Sequence, residues 1–305
     1  MSYNPMRASV FLLSGLLVLL LSACSSNGER QDFTSEADLY EQAMRQMSSS
    51  RWDSAIRSLQ LLEEHFPFGK YAEQAQLELI YAYYRSGDPD AATVSADRFI
   101  RLHPQHRNVD YAYYMKGLAA YDKDENFLAS ITPLDQTQRD PGAARESLAY
   151  FTQLLNRYPD SSYAQDAKKR MLYLRNRLAR YEIHVANYYF KRGAYLASVK
   201  RGQYVLENFQ GTPAVPDALA VMVQGYHLLE MDELSDRSLA VLRLNYPDHP
   251  AFDRNGDFNF QHGDVEDRSW ISKVTFGLFD KRDPRGFDSR RVFDPQYQDA
   301  PRATQ

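Results

Sequence analysis

Cys24 is the only cysteine in this 305-residue chain, and its neighbours give the thiol a specific chemistry. Met6 and Arg7 lead into Val10–Leu21, which is apolar except for Ser14 and Gly15, and Ser22-Ala23 precede the cysteine. A positive start, a short apolar run and a pair of small residues form an export signal. The run is about 12 residues, too short to cross roughly 30 Å of hydrocarbon as a helix. A thiol directly after the small pair is placed for acylation. The mature chain then begins at Cys24 with diacylglycerol on the sulfur and an acyl chain on the new amino group. The competing interpretation is an ordinary secretory signal followed by a chance cysteine.

Other reactive side chains form weaker constellations. His103-Pro104-Gln105-His106 with Asp110 offers metal-ligand types, but the proline breaks helical spacing. Asp122, Asp124 and Asn126, and again Asp253, Asn255 and Asp257, open like a calcium loop. That loop needs Gly at its sixth position and Glu at its twelfth. Here those positions hold Phe127 and Pro133 in one case, and Phe258 and Asp264 in the other. The G-x-S-x-G and H-E-x-x-H patterns and a phosphate-binding glycine loop are missing from the sequence. The expectation is therefore a non-enzymatic protein with no metal, and no cofactor besides lipid on Cys24. Function then falls to surfaces. Phe66-Pro67-Phe68-Gly69-Lys70-Tyr71 sets aromatics beside a cation, and Phe66, Phe68, Lys70 and Tyr71 are candidates for a peptide groove. Alternatively, the rings of Phe66 and Tyr71 pack between neighbouring elements.

Positioning such surfaces requires helices. The chain carries 22 Tyr and 16 Phe against 14 Gly, and little β-branched alternation before residue 250. Its formal net charge of −4 predicts no nucleic-acid partner. Ala55, Leu59, Leu62 and Pro67 are spaced 4, 3 and 5. The same spacing returns at Ala92, Ala96, Phe99, Pro104, at Ser147, Phe151, Leu154, Pro159, and at Ser235, Leu239, Leu242, Pro247. A further copy reads Ser198, Gly202, Val205, Gln210. The first slot is always small, which lets two antiparallel helices approach closely, and the bulky slots reach the next unit. Proline ends the helix. This is the tetratricopeptide pattern, and it predicts an all-α solenoid of five helical hairpins.

The predicted hairpins are Ala37–Ser49 with Trp52–His65, Tyr71–Ser86 with Pro89–His103, and Val109–Tyr121 with Ala143–Tyr158. Tyr163–Lys191 with Tyr195–Phe209 and Ala214–Glu230 with Asp232–Tyr246 complete them. The organisation is a signal peptide over 1–23, a lipidated tether over 24–35, repeats over 36–247 with an insert at 122–139, and a tail over 248–305. The tail holds four Phe-Asp pairs, at Phe252, Phe279, Phe287 and Phe293. Two expectations stand for it: extended or disordered chain, or a cap on the last repeat's apolar face.

Several segments carry a resemblance. They are Trp52-x-x-Ala55-Ile56, Tyr81-Ala82-Tyr83-Tyr84, Asp97–Leu102, Arg139-Asp140-Pro141, Tyr181-Glu182 before Tyr188-Tyr189, and Arg192-Gly193-Ala194. With the Cys24 signal, they make the chain resemble the BamD (ComL) family of outer-membrane lipoproteins over Cys24 to about Pro247. The resemblance implies five repeats and membership of the β-barrel assembly (Bam) complex. It further implies N-terminal repeats that receive targeting signals of unfolded outer-membrane β-barrel proteins, with the Phe66–Tyr71 loop matching that groove, and C-terminal repeats that dock BamA beside other Bam lipoproteins. Arg201 matches a basic contact with BamA. Read from the residues, Arg201 beside Gly202 either meets a partner in the room left by a weak slot or is a solvated helix-face arginine. Ser25, where lipoproteins retained in the inner membrane carry Asp, implies lipid anchoring on the periplasmic face of the outer membrane. The alternative is a repeat lipoprotein of the cell envelope that organises peptidoglycan or division proteins.

Overall fold

The computed structural model describes residues 35–124, 135, 137, 139–260 and 286–295. Ten helices of the described residues form five antiparallel hairpins, as the spacing predicts. They are α1 (Glu36–Ser48) with α2 (Trp52–His65), α3 (Ala72–Ser86) with α4 (Pro89–Leu102), and α5 (Val109–Asp124) with α6 (Gly142–Arg157). The last two pair α7 (Ala164–Lys191) with α8 (Tyr195–Asn208), and α9 (Val215–Leu228) with α10 (Asp232–Asn245). A single turn, α11 (Arg290–Phe293), lies in the tail. Each of the ten packs on the next in chain order, and α3 also meets α5 and α7 meets α9, the contact pattern of a solenoid. None of the described helices is long and apolar enough to cross a membrane. Cys24 and the Phe-Asp pair at Phe279 lie outside the described residues, as does most of the 122–139 insert.

The small slots do what close packing requires. Ala55, Ala92, Ser147, Ser198 and Ser235 are all buried. The three serines turn the short distance into a hydrogen bond to the facing helix: Ser147 Oγ donates to Gly117 O at 2.8 Å, Ser198 Oγ to Ala186 O at 3.0 Å, and Ser235 Oγ to Val223 O at 2.9 Å. Seven residues on, Leu62, Phe99, Leu154, Val205 and Leu242 are fully buried. Leu62 packs with Ala75 and Leu79 of the next hairpin, and Phe99 with Ala112 and Met115.

Proline is not what shapes the inter-repeat turn. In all five copies an aromatic ring-bearing residue caps the second helix: Phe66, His103, Tyr158, Phe209 and Tyr246. The carbonyl of each accepts the N–H three residues later, from Gly69, His106, Ser161, Thr212 and His249. The copy with Gln210 in the proline slot makes the same turn, so proline reinforces a geometry the helix end already adopts.

The turn after Tyr246 leads into tail, not into a sixth hairpin. The expectation of an extended or disordered tail is corrected for 251–260 and 286–295. Ala251, Phe258 and Phe287 are buried and cluster with Phe190, Leu219 and Leu242. Leu242 occupies the slot that a following hairpin covers in the earlier repeats. These tail residues therefore cover apolar surface that the array would otherwise leave to water.

Candidate functional site

The Phe66–Tyr71 loop is tied to the start of the fold. Glu36, in the first turn of α1, accepts Lys70 N–H at 3.0 Å and Tyr71 N–H at 2.5 Å. The Tyr71 ring stacks on Tyr40 at 4.7 Å, with Lys70 Nζ 5.3 Å from its centroid. Phe66 packs on the first core cluster. Two of the four candidate groove residues, Phe66 and Tyr71, thus pack between the first two hairpins. Phe68 is 99% exposed, and Lys70 is exposed beside it.

A second, larger aromatic surface lies along the first helices of repeats two to four. Trp52 meets Tyr81 edge-on at 5.9 Å, and the Arg85 guanidinium lies 4.8 Å from the Trp52 ring and 5.6 Å from the Tyr81 ring. Tyr81 contacts Tyr84, whose hydroxyl donates to Asp122. Tyr111 and Tyr114 on α5 both meet Tyr163 at the start of α7, the latter stacked at 4.7 Å. Tyr114 OH donates to Asp166 at 2.8 Å, Asp166 pairs with Arg170 at 2.6 Å, and Arg170 lies 4.8 Å from the Tyr121 ring. All these rings are partly exposed.

The electrostatics keep the phenols neutral. Burial, then the Asp166 hydrogen bond, pushes Tyr114 up to about 12. Burial and the Asp122 contact push Tyr84 higher still. Burial opposes ionisation of Asp166, but the Arg170 and Tyr114 hydrogen bonds outweigh it and hold the carboxyl below the usual range. The surface therefore offers aromatic faces, two stacked guanidinium groups and fixed hydroxyl groups. Aromatic faces, guanidinium groups and hydroxyl groups are suited to stacking and hydrogen bonding. Sequence reasoning missed most of it. The available signal was tyrosine at i and i+3 on two successive first helices, Tyr81 and Tyr84, then Tyr111 and Tyr114.

Arg201 is neither free nor beside a vacancy. Its Nη1 pairs with Glu182 Oε2 at 2.8 Å, and its guanidinium lies 5.9 Å from the Tyr189 ring. Glu182 is buried and its other oxygen takes Arg145 Nη2 at 3.1 Å. The expectation that Gly202 leaves room for a partner is overturned. A Cβ there would sit 2.9 Å from Ala218 O and 3.0 Å from Met222 Cγ, because α9 fills the slot.

The sequence-level ligand candidates have protein partners. His103 and His106 face the two oxygens of Glu73, at 3.2 and 3.6 Å. Asp110 accepts the Ser161 hydroxyl at 2.6 Å. Asp253 Oδ1 accepts the N–H groups of Asn255 and Asp257 at 2.8 and 2.9 Å, closing a tight turn in which Gly256 has φ of 83°. Among the described residues, no group of three or more His, Cys, Asp or Glu is arranged to hold a metal.

Residues 32–242 match the YfiO family, described as outer membrane lipoprotein. The chain is 39% identical over 246 residues to the outer membrane protein assembly factor BamD of Neisseria meningitidis serogroup B, covering 78% of this chain and 92% of that protein. It is 38% identical over 234 residues to the BamD of Vibrio cholerae, covering 76% and 97%. Against the BamD of Haemophilus influenzae the identity is 31% over 226 residues, covering 74% and 86%. With five stacked hairpins and this extent of similarity, the chain belongs to the YfiO family of outer membrane lipoproteins, the family of the BamD assembly factors.

Proposed function

We propose that this protein acts in outer-membrane protein assembly as a scaffold without catalytic chemistry, anchored by lipid on Cys24 to the periplasmic face of the outer membrane. The observation that carries the binding role is the pair of partly exposed aromatic groups, Trp52 with Tyr81 and Tyr111 with Tyr114 and Tyr163, with Arg85 over the Trp52 and Tyr81 rings and Arg170 over Tyr121. An extended, aromatic-rich segment of an unfolded barrel protein lays its rings on these faces and its backbone on the hydroxyl groups. Phe68 and Lys70 add to these groups at the N-terminal end. Each contact is weak. Two or more acyl chains confine the scaffold to the membrane surface and raise the local concentration of its targets, so weak contacts suffice. The C-terminal repeats, with Arg201 on α8, dock BamA beside the other Bam lipoproteins.

The test is affinity purification from detergent-solubilised membranes, combined with photo-crosslinking from positions 68 and 81. The expected result is co-purification of a BamA-type barrel and crosslinks to unfolded barrel segments. Retention on peptidoglycan with no barrel partner would instead favour an envelope-organising lipoprotein.

A further inference from the structure

The tail segment Gly286–Asp294 closes no repeat, yet it is held as a bound peptide is held. Asn187 on α7 donates from Nδ2 to Phe287 O at 3.0 Å and accepts Phe287 N–H on Oδ1 at 3.0 Å. One side-chain amide thus reads both backbone groups of a single residue, as a neighbouring strand does. The Phe287 ring is fully buried against Phe190 and Phe258. Two residues on, Ser289 N–H donates to Asp217 Oδ2 at 2.9 Å. Asp217 is itself fully buried, paired with Arg180 and hydrogen-bonded to His249 Nε2 at 3.0 Å. Further along, Phe293 meets Tyr246 edge-on at 5.5 Å, and Arg290 reaches Asp135 of the α5–α6 insert at 2.6 Å.

These contacts select. A Cβ on Gly286 would collide with the Asn187 amide, which its own hydrogen bonds hold in place. Ser289 is 1% exposed, so a larger side chain has no space. Asp288, Arg291 and Val292 are exposed and are chosen less strictly. Of the four Phe residues followed by Asp in this chain, only Phe287 follows Gly.

We propose that the cleft between α7, α9 and His249 is a peptide-reading site for Gly-Phe-x-small segments that run into a helical turn carrying a second aromatic four residues after the small one. The chain's own tail is its resident ligand, and a partner protein presenting the same pattern displaces it. The covalent connection keeps the tail at high effective concentration, so only a partner held nearby competes.

The test uses the full chain with a specific protease site introduced between residues 265 and 280. After cleavage, a fluorescent peptide spanning residues 284–296 is added and its anisotropy followed. The cleaved protein is expected to bind it saturably, and the uncleaved protein at least tenfold more weakly. Peptides carrying Phe287→Ala or Gly286→Val should lose roughly 100-fold in affinity, the scale of losing one buried ring. Asn187→Ala in the protein should weaken the native peptide without changing helical circular dichroism. Should that variant misfold, the two altered peptides still decide the matter. Equal binding of native and altered peptides overturns the proposal. So does a tail fragment that stays on the array and never exchanges, because it is then a fixed part of the fold.

Discussion

At Glu182, one buried carboxylate holds two arginines from different helices, Arg145 and Arg201. The two replacements of Arg201 therefore have different consequences. Arg201→Gln leaves Arg145 on Glu182 and should keep the unfolding free energy from urea titration within about 1 kcal/mol of the parent, while lowering recovery of BamA in co-purification. Arg201→Glu sets a second carboxylate against Glu182 and should cost about 3 kcal/mol, so its loss of binding would confuse folding with docking. Unchanged BamA recovery with Arg201→Gln would remove Arg201 from the interface. At Asp217, burial opposes ionisation most, but Arg180, His249 and the Ser289 N–H together hold the carboxyl below the usual carboxylate range. Because the folded pKa lies under the unfolded one, the stabilisation is complete above about pH 4–5 and is lost as pH falls. Asp217→Asn should lower stability at pH 7 by about 3 kcal/mol, since Arg180 stays buried without its ionised partner. It should also flatten the fall of the urea midpoint between about pH 5 and pH 3. An unchanged acid limb would mean that other carboxylates govern it.

At the scale of helices, close approach is built from small residues, and each repeat solves it differently. Ala55 and Ala92 approach with nothing but a methyl group, while Ser147, Ser198 and Ser235 add a hydrogen bond to the opposite carbonyl. Gly202 carries the approach one slot further, where the other copies have Leu59, Ala96, Phe151 and Leu239. A Cβ there would sit 2.9 Å from the Ala218 carbonyl oxygen, which is backbone and cannot rotate aside. Gly202→Leu, a return to the residue found in two other copies, should separate α8 from α9 and destabilise by about 1–3 kcal/mol, seen as a lower melting temperature. Tolerance of leucine would restore the vacancy that the sequence pattern suggested. The helix ends were legible because the small slot and the proline slot recur at fixed spacing, although the ring-bearing cap that shapes each turn was not read from the sequence. The tyrosine face was only half legible: its i, i+3 pairs are visible in the sequence, but not the Tyr163 and Arg170 they meet.

Across the whole molecule, α7 joins the two halves of the array. Its middle turns carry Leu174, Leu178 and Ile183 into one core cluster, and its end carries Ala186 and Phe190 into the cluster that receives the tail. The tail therefore stabilises the fourth and fifth repeats and, through Arg290 and Asp135, reaches the insert in the third. At the other end, the chain enters the fold at Ser35, whose hydroxyl caps α1 by accepting Asp38 N–H at 3.2 Å. On the proposed role, the stretch from Cys24 to that point connects lipid to array. Cys24→Ala should move the protein from the membrane pellet to the soluble periplasmic fraction. Persistence in the membrane fraction would show that protein partners, not lipid, hold it there.

The amino-acid order alone determined the number, order and near-exact limits of the repeats, because small, bulky and helix-ending residues act within one hairpin and its neighbour, and the rule repeats five times. Only the tertiary structure decided what closes the array. Asn187 and Phe287 are 100 residues apart and Asp217 and Ser289 are 72 apart, with no period to announce either pair. Such contacts depend on shape and burial at one place in space: a ring fills the gap beside Phe190, and a buried carboxylate needs one more donor. Neither requirement can be read from spacing along the chain.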